Sequence, residues 1–196
     1  MLNKPRFIIL HTTDYSYRLL ADQFIACNGW HRDRDFPLSS LGLYIGYHSL
    51  ITGEKNYRCR TDSDEGAHCN QRQDGVSMNF QSLGVCLGFD GDIEMPTAMQ
   101  YALLQKQVWE WQDMYGIPHE NVRFHRYYAK DKTCPGSLIT DTWLKTLLTR
   151  PTMPVAGPKP PETMCIAQEQ TIKDLKKKLT WFETVFSWLR TPWLTP

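Results

Sequence analysis

Three side chains in this sequence have the types and positions that a metal ion requires. His125 closes the short apolar run 122–124, and eight residues separate it from Cys134, which directly precedes a Pro-Gly turn. His11 closes a second apolar run, residues 7–10. Imidazole nitrogens and a thiolate sulfur are preferred zinc ligands, and three of them leave one tetrahedral position open, as a catalytic site requires. We therefore predict a zinc site formed by His11, His125 and Cys134.

The spacing of His125 and Cys134 alone leaves a simpler interpretation open. A histidine with satisfied hydrogen bonds beside an inert buried thiol would give the same pattern. Lys132, two residues before Cys134, favours metal binding, because a nearby cation stabilises the thiolate form of a cysteine.

Short apolar runs alternate with segments of helical periodicity along the first three quarters of the chain. We predict strands at 6–11, 43–51, 55–60, 82–88 and 122–125, and helices at 16–28, 97–115 and 138–149. Gly29 is expected to stop the first helix, and a polar loop is expected at 31–42. This order predicts an α/β domain whose mixed central β-sheet is flanked by helices, with its site at strand ends. A C-terminal helical tail follows the domain.

The composition is that of a globular protein without a nucleic-acid-binding charge pattern. The chain has 196 residues, 41% of them hydrophobic, and 22 basic residues balance 21 acidic ones. The six cysteines do not form a disulfide framework, and Cys27, Cys59 and Cys86 are interpreted as small buried hydrophobes. This usage suggests synthesis in a reducing cytoplasm. We recognise no signal peptide.

The sequence changes in character after residue 150. Residues 151–161 contain five prolines and are predicted to form a stiff linker between the domain at 1–150 and a tail at 162–196. The tail has apolar residues at the spacing of a coiled-coil seam, which would support self-association. Its clustered tryptophans and its Lys176–Lys178 patch instead suit an amphipathic helix at a membrane surface. Packing of the tail on its own domain is a third alternative.

Six motifs extend the argument beyond the three metal-ligand candidates. They are F-I-I-L-H-T-T-D (7–14), G-W-H (29–31), I-G-Y-H-S-L-I (45–51), R-T-D-S-D-E-G-A-H (60–68), N-F-Q-S-L-G-V-C-L-G (79–88) and K-T-C-P-G (132–136). In these motifs and their order the chain resembles the zinc-dependent N-acetylmuramoyl-L-alanine amidases, which share the peptidoglycan recognition protein fold, and it is most similar to the short phage lysozymes with amidase activity. The resemblance covers nearly all of residues 6–150.

The resemblance implies roles for further residues. Tyr47 would face the site, and because neighbours on a strand point to opposite faces, His48 would then be structural. His31 and His68 would lie beside the substrate groove, although the charged loop around His31 could also be a solvated face. Zn²⁺ would activate a water for attack on the lactyl–L-alanine amide bond. Lys132 would stabilise the resulting oxyanion, and Tyr47 would hydrogen-bond the water or the intermediate.

The function implied by the resemblance is that of a phage endolysin acting on peptidoglycan (murein). Such a protein would be made in the host cytoplasm and would reach the periplasmic cell wall after its release. The alternative is a non-catalytic peptidoglycan-binding protein of the same fold, in which the metal-binding cysteine is commonly replaced. A third hypothesis is a cysteine hydrolase with Cys134 as nucleophile and His125 as base.

Overall fold

The computed structural model describes residues 2–16 and 22–151, together with residues 173 and 177. Met1–Arg150 forms one compact unit. The strands of this unit are β1 (Phe7–Thr12), β2 (Ser49–Thr52), β3 (Lys55–Arg58), β4 (Arg72–Gln73), β5 (Val76–Ser77), β6 (Ser82–Leu87) and β7 (Val122–Phe124). Its α-helices are α1 (Gln23–Arg32), α2 (Ala98–Tyr115), α3 (His125–Tyr128) and α4 (Asp141–Leu148), and short 3-10 helices span Met78–Phe80 and His119–Asn121.

Five of the strands form one mixed sheet in the order β3-β2-β6-β1-β7. The pairs β2–β6, β6–β1 and β1–β7 are parallel, and only the edge strand β3 runs antiparallel to its neighbour. Strands β4 and β5 make a separate two-stranded hairpin. The predicted α/β class, with a mixed central sheet flanked by helices, is confirmed. Parallel pairing matters for the site because it brings the carboxyl ends of β1, β6 and β7 to one edge.

The two faces of the sheet are buried against different partners. On one face Ile8 and Leu10 of β1 join Leu104 and Val108 of α2 in the main hydrophobic core, which α4 also covers. Since strand side chains alternate between faces, His11 lies on the opposite face with Phe7 and Ile9. Their fully buried neighbours there include Cys69 and Met78. The histidine is therefore held by a strand that is buried on both sides.

Helix α2 is specified at both ends by its own sequence. Thr97 Oγ1 accepts a hydrogen bond from the Gln100 backbone N–H at 3.1 Å, and Gln100 Oε1 accepts from the Thr97 N–H at 3.0 Å. This is a reciprocal capping box. Gly116, with φ of 63°, ends the helix in the left-handed conformation that glycine adopts without strain. The prediction of a helix at 97–115 is confirmed to within one residue.

Helix α1 departs from its prediction at both ends. Asp22 caps its start by accepting a hydrogen bond from the Ile25 N–H at 3.1 Å, so the helix begins at Gln23 rather than at residue 16, with 17–21 outside the described residues. Gly29 does not stop it. The helix continues to Arg32, where the N–H of Asp33 still bonds to the Gly29 carbonyl at 2.9 Å. The predicted loop at 31–42 therefore begins two residues late.

The second strand is shorter than predicted because residues 45–46 give their backbone groups to other partners. The Ile45 carbonyl accepts from Arg60 Nε at 2.8 Å, and the Gly46 N–H donates to His31 Nδ1 at 3.0 Å. The Gly46 carbonyl accepts from the Ala67 N–H at 2.9 Å. These bonds replace ladder bonds, so β2 starts only at Ser49. The strand-alternation argument for Tyr47 and His48 therefore rested on a strand that is absent there.

Smaller boundary errors concern β3, β6, β7 and α4, which are all shorter than predicted. His125 is the first residue of α3 and not the end of a strand. Helix α4 begins after Thr140, whose side chain accepts from the Trp143 N–H at 3.2 Å.

The linker and the tail lie almost wholly outside the described residues, so the predictions for 151–161 and 162–196 stay predictions. Of the helices that the structure describes, none is both long enough and apolar enough to cross a membrane.

Candidate metal centre and active site

Two of the predicted metal ligands meet because β1 and β7 are parallel neighbours. Leu10 of β1 is in register with Phe124 of β7, so the residues that follow them, His11 in β1 and His125 at the start of α3, emerge at the same edge. Their ring centroids are 4.5 Å apart. His11 is almost fully buried and His125 is half-buried. The sheet itself therefore sets the separation of the two imidazoles.

Cys134 reaches these histidines from the loop between α3 and α4. Its Sγ lies 3.8 Å from His11 Nδ1, and one donor atom from each of the three residues lies within 4.8 Å of the others. With metal–ligand bonds of about 2.0–2.3 Å, three donors at this spacing can close on a single zinc ion. Among the described residues, no fourth histidine, cysteine or carboxylate joins this group. The donor set thus fits a zinc ion with one open position.

The loop that carries Cys134 is fastened mainly through Arg126. Its guanidinium donates to the carbonyls of Thr133 at 3.1 Å and Gly136 at 2.8 Å, and also to that of Ile139. The Arg126 N–H donates to the Cys134 carbonyl at 2.9 Å. One arginine therefore holds both sides of the turn around the thiol, through charge-assisted hydrogen bonds to backbone carbonyls.

Asp92 holds the same loop from the opposite side. Its two carboxylate oxygens accept from Thr133 Oγ1 at 2.8 Å and from the Ser137 N–H at 2.7 Å. These hydrogen bonds, first of all the one from the Ser137 N–H, lower the pKa of Asp92. A β-carbon on Gly91 would lie only 1.9 Å from the Pro135 carbonyl oxygen, so the two backbone segments touch without a side chain between them.

Burial dominates the electrostatics of the three candidate ligands. It lowers the pKa of His11 well below its usual value, with further lowering by His125, and it lowers the pKa of His125 to about 4 with help from Lys132. Both imidazoles are thus neutral near pH 7, which is the form that binds metal.

Burial also raises the pKa of Cys134 to about 11, and this outweighs the opposite effect of Lys132. Lys132 does lower the pKa of Cys134, as the sequence argument held, but not enough to offset burial. A directly bound divalent cation would supply the stronger positive charge that this buried thiol needs to ionise.

The donors open into a cavity of about 620 Å³, within the usual range of ligand pockets. Tyr47 and Lys132 also line this cavity. The Tyr47 ring centroid is 5.0 Å from that of His11, and burial raises the pKa of the phenol. Tyr47 is therefore a neutral hydrogen-bond donor at physiological pH. Lys132 is exposed at the mouth, where its ammonium is free to reach a bound molecule.

His31 lies in the wall of the same cavity, on the last turn of α1. Its ring stacks on Phe36 at 4.3 Å between centroids. Nδ1 accepts from the Gly46 N–H at 3.0 Å, and burial lowers the pKa of His31 to about 4. The ring is neutral at pH 7, so its one proton is on Nε2. The charged residues 32–35 that follow are exposed, in agreement with the solvated-face interpretation of this loop, whereas His31 itself is buried.

His68 lines the same cavity, as expected from its place beside the groove. The residue is only 8% exposed, and its Nδ1 lies 3.1 Å from Nε2 of His11. The loop that carries it turns inward because the His68 and Cys69 N–H groups both donate to Asn79 Oδ1, at 3.0 and 2.9 Å. Contact between His68 and substrate stays a prediction. The structure shows that the His68 ring lies behind His11.

His48 is buried behind these residues, as its structural interpretation required, but for a different reason. Its Nδ1 accepts from the Gly84 N–H at 3.1 Å, and its Nε2 lies 3.2 Å from the Asp64 carbonyl.

Sequence reasoning missed Arg126 and Asp92, the two residues that fasten the Cys134 loop. Their proximity in the chain to His125 and to the end of β6 was the only available signal.

A fold comparison finds several amidases of cell-wall peptidoglycan. The N-acetylmuramoyl-L-alanine amidase LysC from Clostridium intestinale is 21% identical, with 74% of this chain and 88% of that chain covered and a TM-score of 0.58. The catalytic domain of XlyA is 22% identical, with coverages of 76% and 89% and a TM-score of 0.54. AmpDh3 from Pseudomonas aeruginosa, solved with an anhydromuramic pentapeptide, is 18% identical, with coverages of 75% and 61% and a TM-score of 0.53. At these identities the likeness establishes the fold.

The family is established by the sequence itself. The profile of the N-acetylmuramoyl-L-alanine amidase family matches residues 1–137, which include all seven predicted site residues. No curated protein sequence matches the chain. This match places the chain in the class of peptidoglycan amide hydrolases, and the chain is a member of the N-acetylmuramoyl-L-alanine amidase family. The resemblance to these amidases that the motifs carry is confirmed.

Proposed function

We propose that this chain is a zinc-dependent N-acetylmuramoyl-L-alanine amidase of the endolysin type, which hydrolyses the lactyl–L-alanine amide bond of peptidoglycan. The observation that carries the proposal is the group His11, His125 and Cys134, whose donor atoms converge at one end of an open cavity. Family membership supports the amide bond as the target. Peptidoglycan as substrate is supported further by the anhydromuramic pentapeptide bound to AmpDh3.

The three donors would hold the ion, and bound zinc would supply the Lewis acidity that activates water for attack on an amide carbonyl. Tyr47 then contributes a fixed O–H donor. Burial keeps its phenol protonated, and the phenol is hydrogen-bonded to the Cys86 thiol. It would exchange this weak sulfur acceptor for an oxygen at the reaction centre, and it does not act as an anionic base in the resting enzyme. Its position beside the His11 ring restricts that donation to groups close to the metal ligands.

Lys132 provides the mobile positive charge. Its exposed ammonium lines the cavity opposite the buried wall, and a cation there stabilises the negative charge that develops on the carbonyl oxygen. The backbone of Lys132 is held by its N–H, which donates to the Ala129 carbonyl at 3.1 Å. The side chain can therefore move while its attachment point stays close to Cys134.

His31 suits a role in substrate binding. Since its Nδ1 is occupied by the Gly46 N–H, its Nε2–H is the group left to donate to a carbonyl of the glycan or the peptide. Stacking on Phe36 fixes the plane of the ring before substrate arrives, which reduces the entropy lost on binding.

The proposal is tested by metal analysis of the purified chain together with digestion of purified murein. We expect one zinc per chain, loss of activity with a chelator and recovery on addition of Zn²⁺. The soluble products should carry new amino groups on L-alanine and no new reducing sugar ends. New reducing ends would identify a glycosidase and refute the proposal.

The same assay distinguishes the two alternatives. A non-catalytic binding protein sediments with murein and releases no amino groups. A cysteine hydrolase using Cys134 and His125 stays active in the chelator and is stopped by a thiol-alkylating reagent. Neither alternative accounts for the placement of His11 Nδ1 beside Cys134 Sγ.

We also propose synthesis in the cytoplasm of a bacterial host and action on the periplasmic wall after release. Fractionation of expressing cells before and after membrane permeabilisation tests it, with the protein expected in the cytoplasm and intact murein beforehand.

A further inference from the structure

The ring of His68 lies directly behind His11, on the side away from Cys134. His11 Nδ1 faces Cys134 Sγ at 3.8 Å, and His11 Nε2 faces His68 Nδ1 at 3.1 Å. We propose that His68 is a positioning residue that fixes the tautomer of His11, so that Nδ1 of His11 carries the free lone pair toward the metal. The proposal rests on the zinc centre of the proposed function, and it concerns how this chain prepares that centre.

The direction of the His11–His68 hydrogen bond follows from Ser82. The Ser82 hydroxyl has one proton, and it donates that proton to the Met78 carbonyl at 2.6 Å. Ser82 Oγ can therefore only accept from His68 Nε2, which lies 3.5 Å away. A neutral His68 with its proton on Nε2 has a bare Nδ1. That nitrogen must accept from His11 Nε2–H, which leaves Nδ1 of His11 unprotonated.

Burial isolates this chain of bonds from solvent. His11 is only 1% exposed and His68 only 8%, so their hydrogen bonds are made to each other and to Ser82. Each neutral ring has a single proton to place, so the position of one proton determines the next.

The protein provides a slot that holds the His68 ring in this orientation. A β-carbon on Gly66 would lie 2.6 Å from His68 Cδ2, and one on Gly84 would lie 2.6 Å from His68 Cγ. Side chains at these two positions would displace the ring. Together with the Asn79 amide that binds the backbone of residues 68 and 69, the slot leaves His68 little rotational freedom.

The expected benefit is a metal site with the correct tautomer before the ion arrives. A metal-ligating histidine commonly donates its second N–H to a neighbouring acceptor, and loss of that acceptor costs roughly 10–100-fold in metal affinity or activity. Here the acceptor is a second imidazole whose own orientation is set by Ser82. The wrong tautomer of His11 would place a proton where the metal must bind.

The first test is nitrogen NMR of the zinc-free, full-length protein with ¹⁵N-labelled histidine, at about pH 8 where unperturbed imidazoles are neutral. We expect His11 to show a protonated Nε2 and a bare Nδ1 in the absence of any metal. A protonated Nδ1 on His11 would overturn the proposal. This measurement needs no variant and no activity.

The second test compares two substitutions of nearly equal size, His68→Asn and His68→Leu. The amide oxygen of Asn is bonded to Cγ, as Nδ1 of His is, so it can accept from His11 Nε2–H, whereas Leu offers no acceptor. In competition with a chelator, His68→Leu should bind zinc roughly 10–100-fold more weakly than the parent. His68→Asn should stay close to the parent, and Ser82→Ala should fall between them.

Parental zinc affinity in His68→Leu, with the His11 tautomer unchanged, would refute the proposal. If His68→Leu does not fold, the decision passes to His68→Asn, which must keep the tautomer of the parent, and to Ser82→Ala, which must weaken zinc binding. A parent protein that binds no zinc refutes the zinc centre, and the tautomer measurement then decides the role of His68 separately.

Discussion

The two sides of the candidate active site are held in place by different kinds of structure. On one side His11 lies near the end of β1 and His125 directly follows β7, its parallel neighbour, so their separation is fixed by the register of a buried sheet. On the other side Cys134 and Lys132 belong to an irregular loop whose position depends on hydrogen bonds from Arg126 and Asp92. The comparison suggests that the sheet provides rigidity and the loop provides the groups that must adjust to ion and substrate.

The largest expected effect comes from removal of a proposed metal ligand, on either side of the site. His11→Ala, His125→Ala and Cys134→Ala should each lose zinc and murein hydrolysis together, because an ion with two protein ligands is not retained. His119→Ala is the matched control, since His119 is exposed on a 3-10 helix. Stoichiometric zinc and full activity in Cys134→Ala would exclude the loop from the metal site.

The next effect separates binding of the ion from chemistry. Lys132→Ala and Tyr47→Phe should keep zinc while turnover falls by roughly 10²–10³-fold, the usual loss when an oxyanion donor is removed. Lys130→Ala is the control for Lys132, because the Lys130 ammonium lies over the Tyr127 ring, 4.9 Å from its centroid. If either site variant digests murein at the parental rate, the role assigned to that residue is wrong.

A third prediction tests whether the loop depends on Arg126. Arg126→Met removes the donors to three loop carbonyls, so Cys134 should be held less firmly and zinc affinity should fall by about tenfold. Arg123→Met serves as the control, since Arg123 Nε bonds to the Glu120 carbonyl at 2.8 Å, outside the loop. Equal zinc dissociation constants for the two variants would contradict the fastening role of Arg126.

The smallest expected effect is on the unfolding free energy and comes from His48, a buried imidazole behind the site. The folded pKa of His48 is about 4, below the unfolded value of about 6.5, so its contribution to stability is present above that unfolded pKa. This contribution is lost as the pH falls toward the folded pKa. Between about pH 7 and about pH 5.5, His48 should account for roughly 1 kcal/mol of the decrease in unfolding free energy.

Urea titration of the zinc-free protein at both pH values measures this decrease. The His48→Asn variant keeps an acceptor for the Gly84 N–H without a titrating ring, so its stability should fall less over the same interval. A variant that loses as much stability as the parent would exclude His48 as a source of the pH dependence.

The sequence predicted the sheet side of the site well because short apolar runs that end in histidine carry a direct signal. On the loop side, residue types and the Pro-Gly turn indicated Cys134, whereas the role of Lys132 toward an oxyanion came only from the motif resemblance. The depth of His68 could not be foreseen, since it depends on Asn79 and Gly84, which lie beside it only after folding. The late start of β2 likewise results from bonds of Arg60 and His31 to the backbone, which periodicity does not encode.

The contact between Gly91 and Gly136 has a consequence for engineering of the chain. A β-carbon on Gly136 would lie 2.0 Å from the Gly91 carbonyl carbon, and Gly136 has a φ of 109°. Side chains are therefore excluded from both positions, for steric reasons and at Gly136 for conformational ones as well. Loops exchanged between relatives should thus be transplanted as a pair, 90–92 with 133–137, because either segment alone would meet a surface shaped for a different partner.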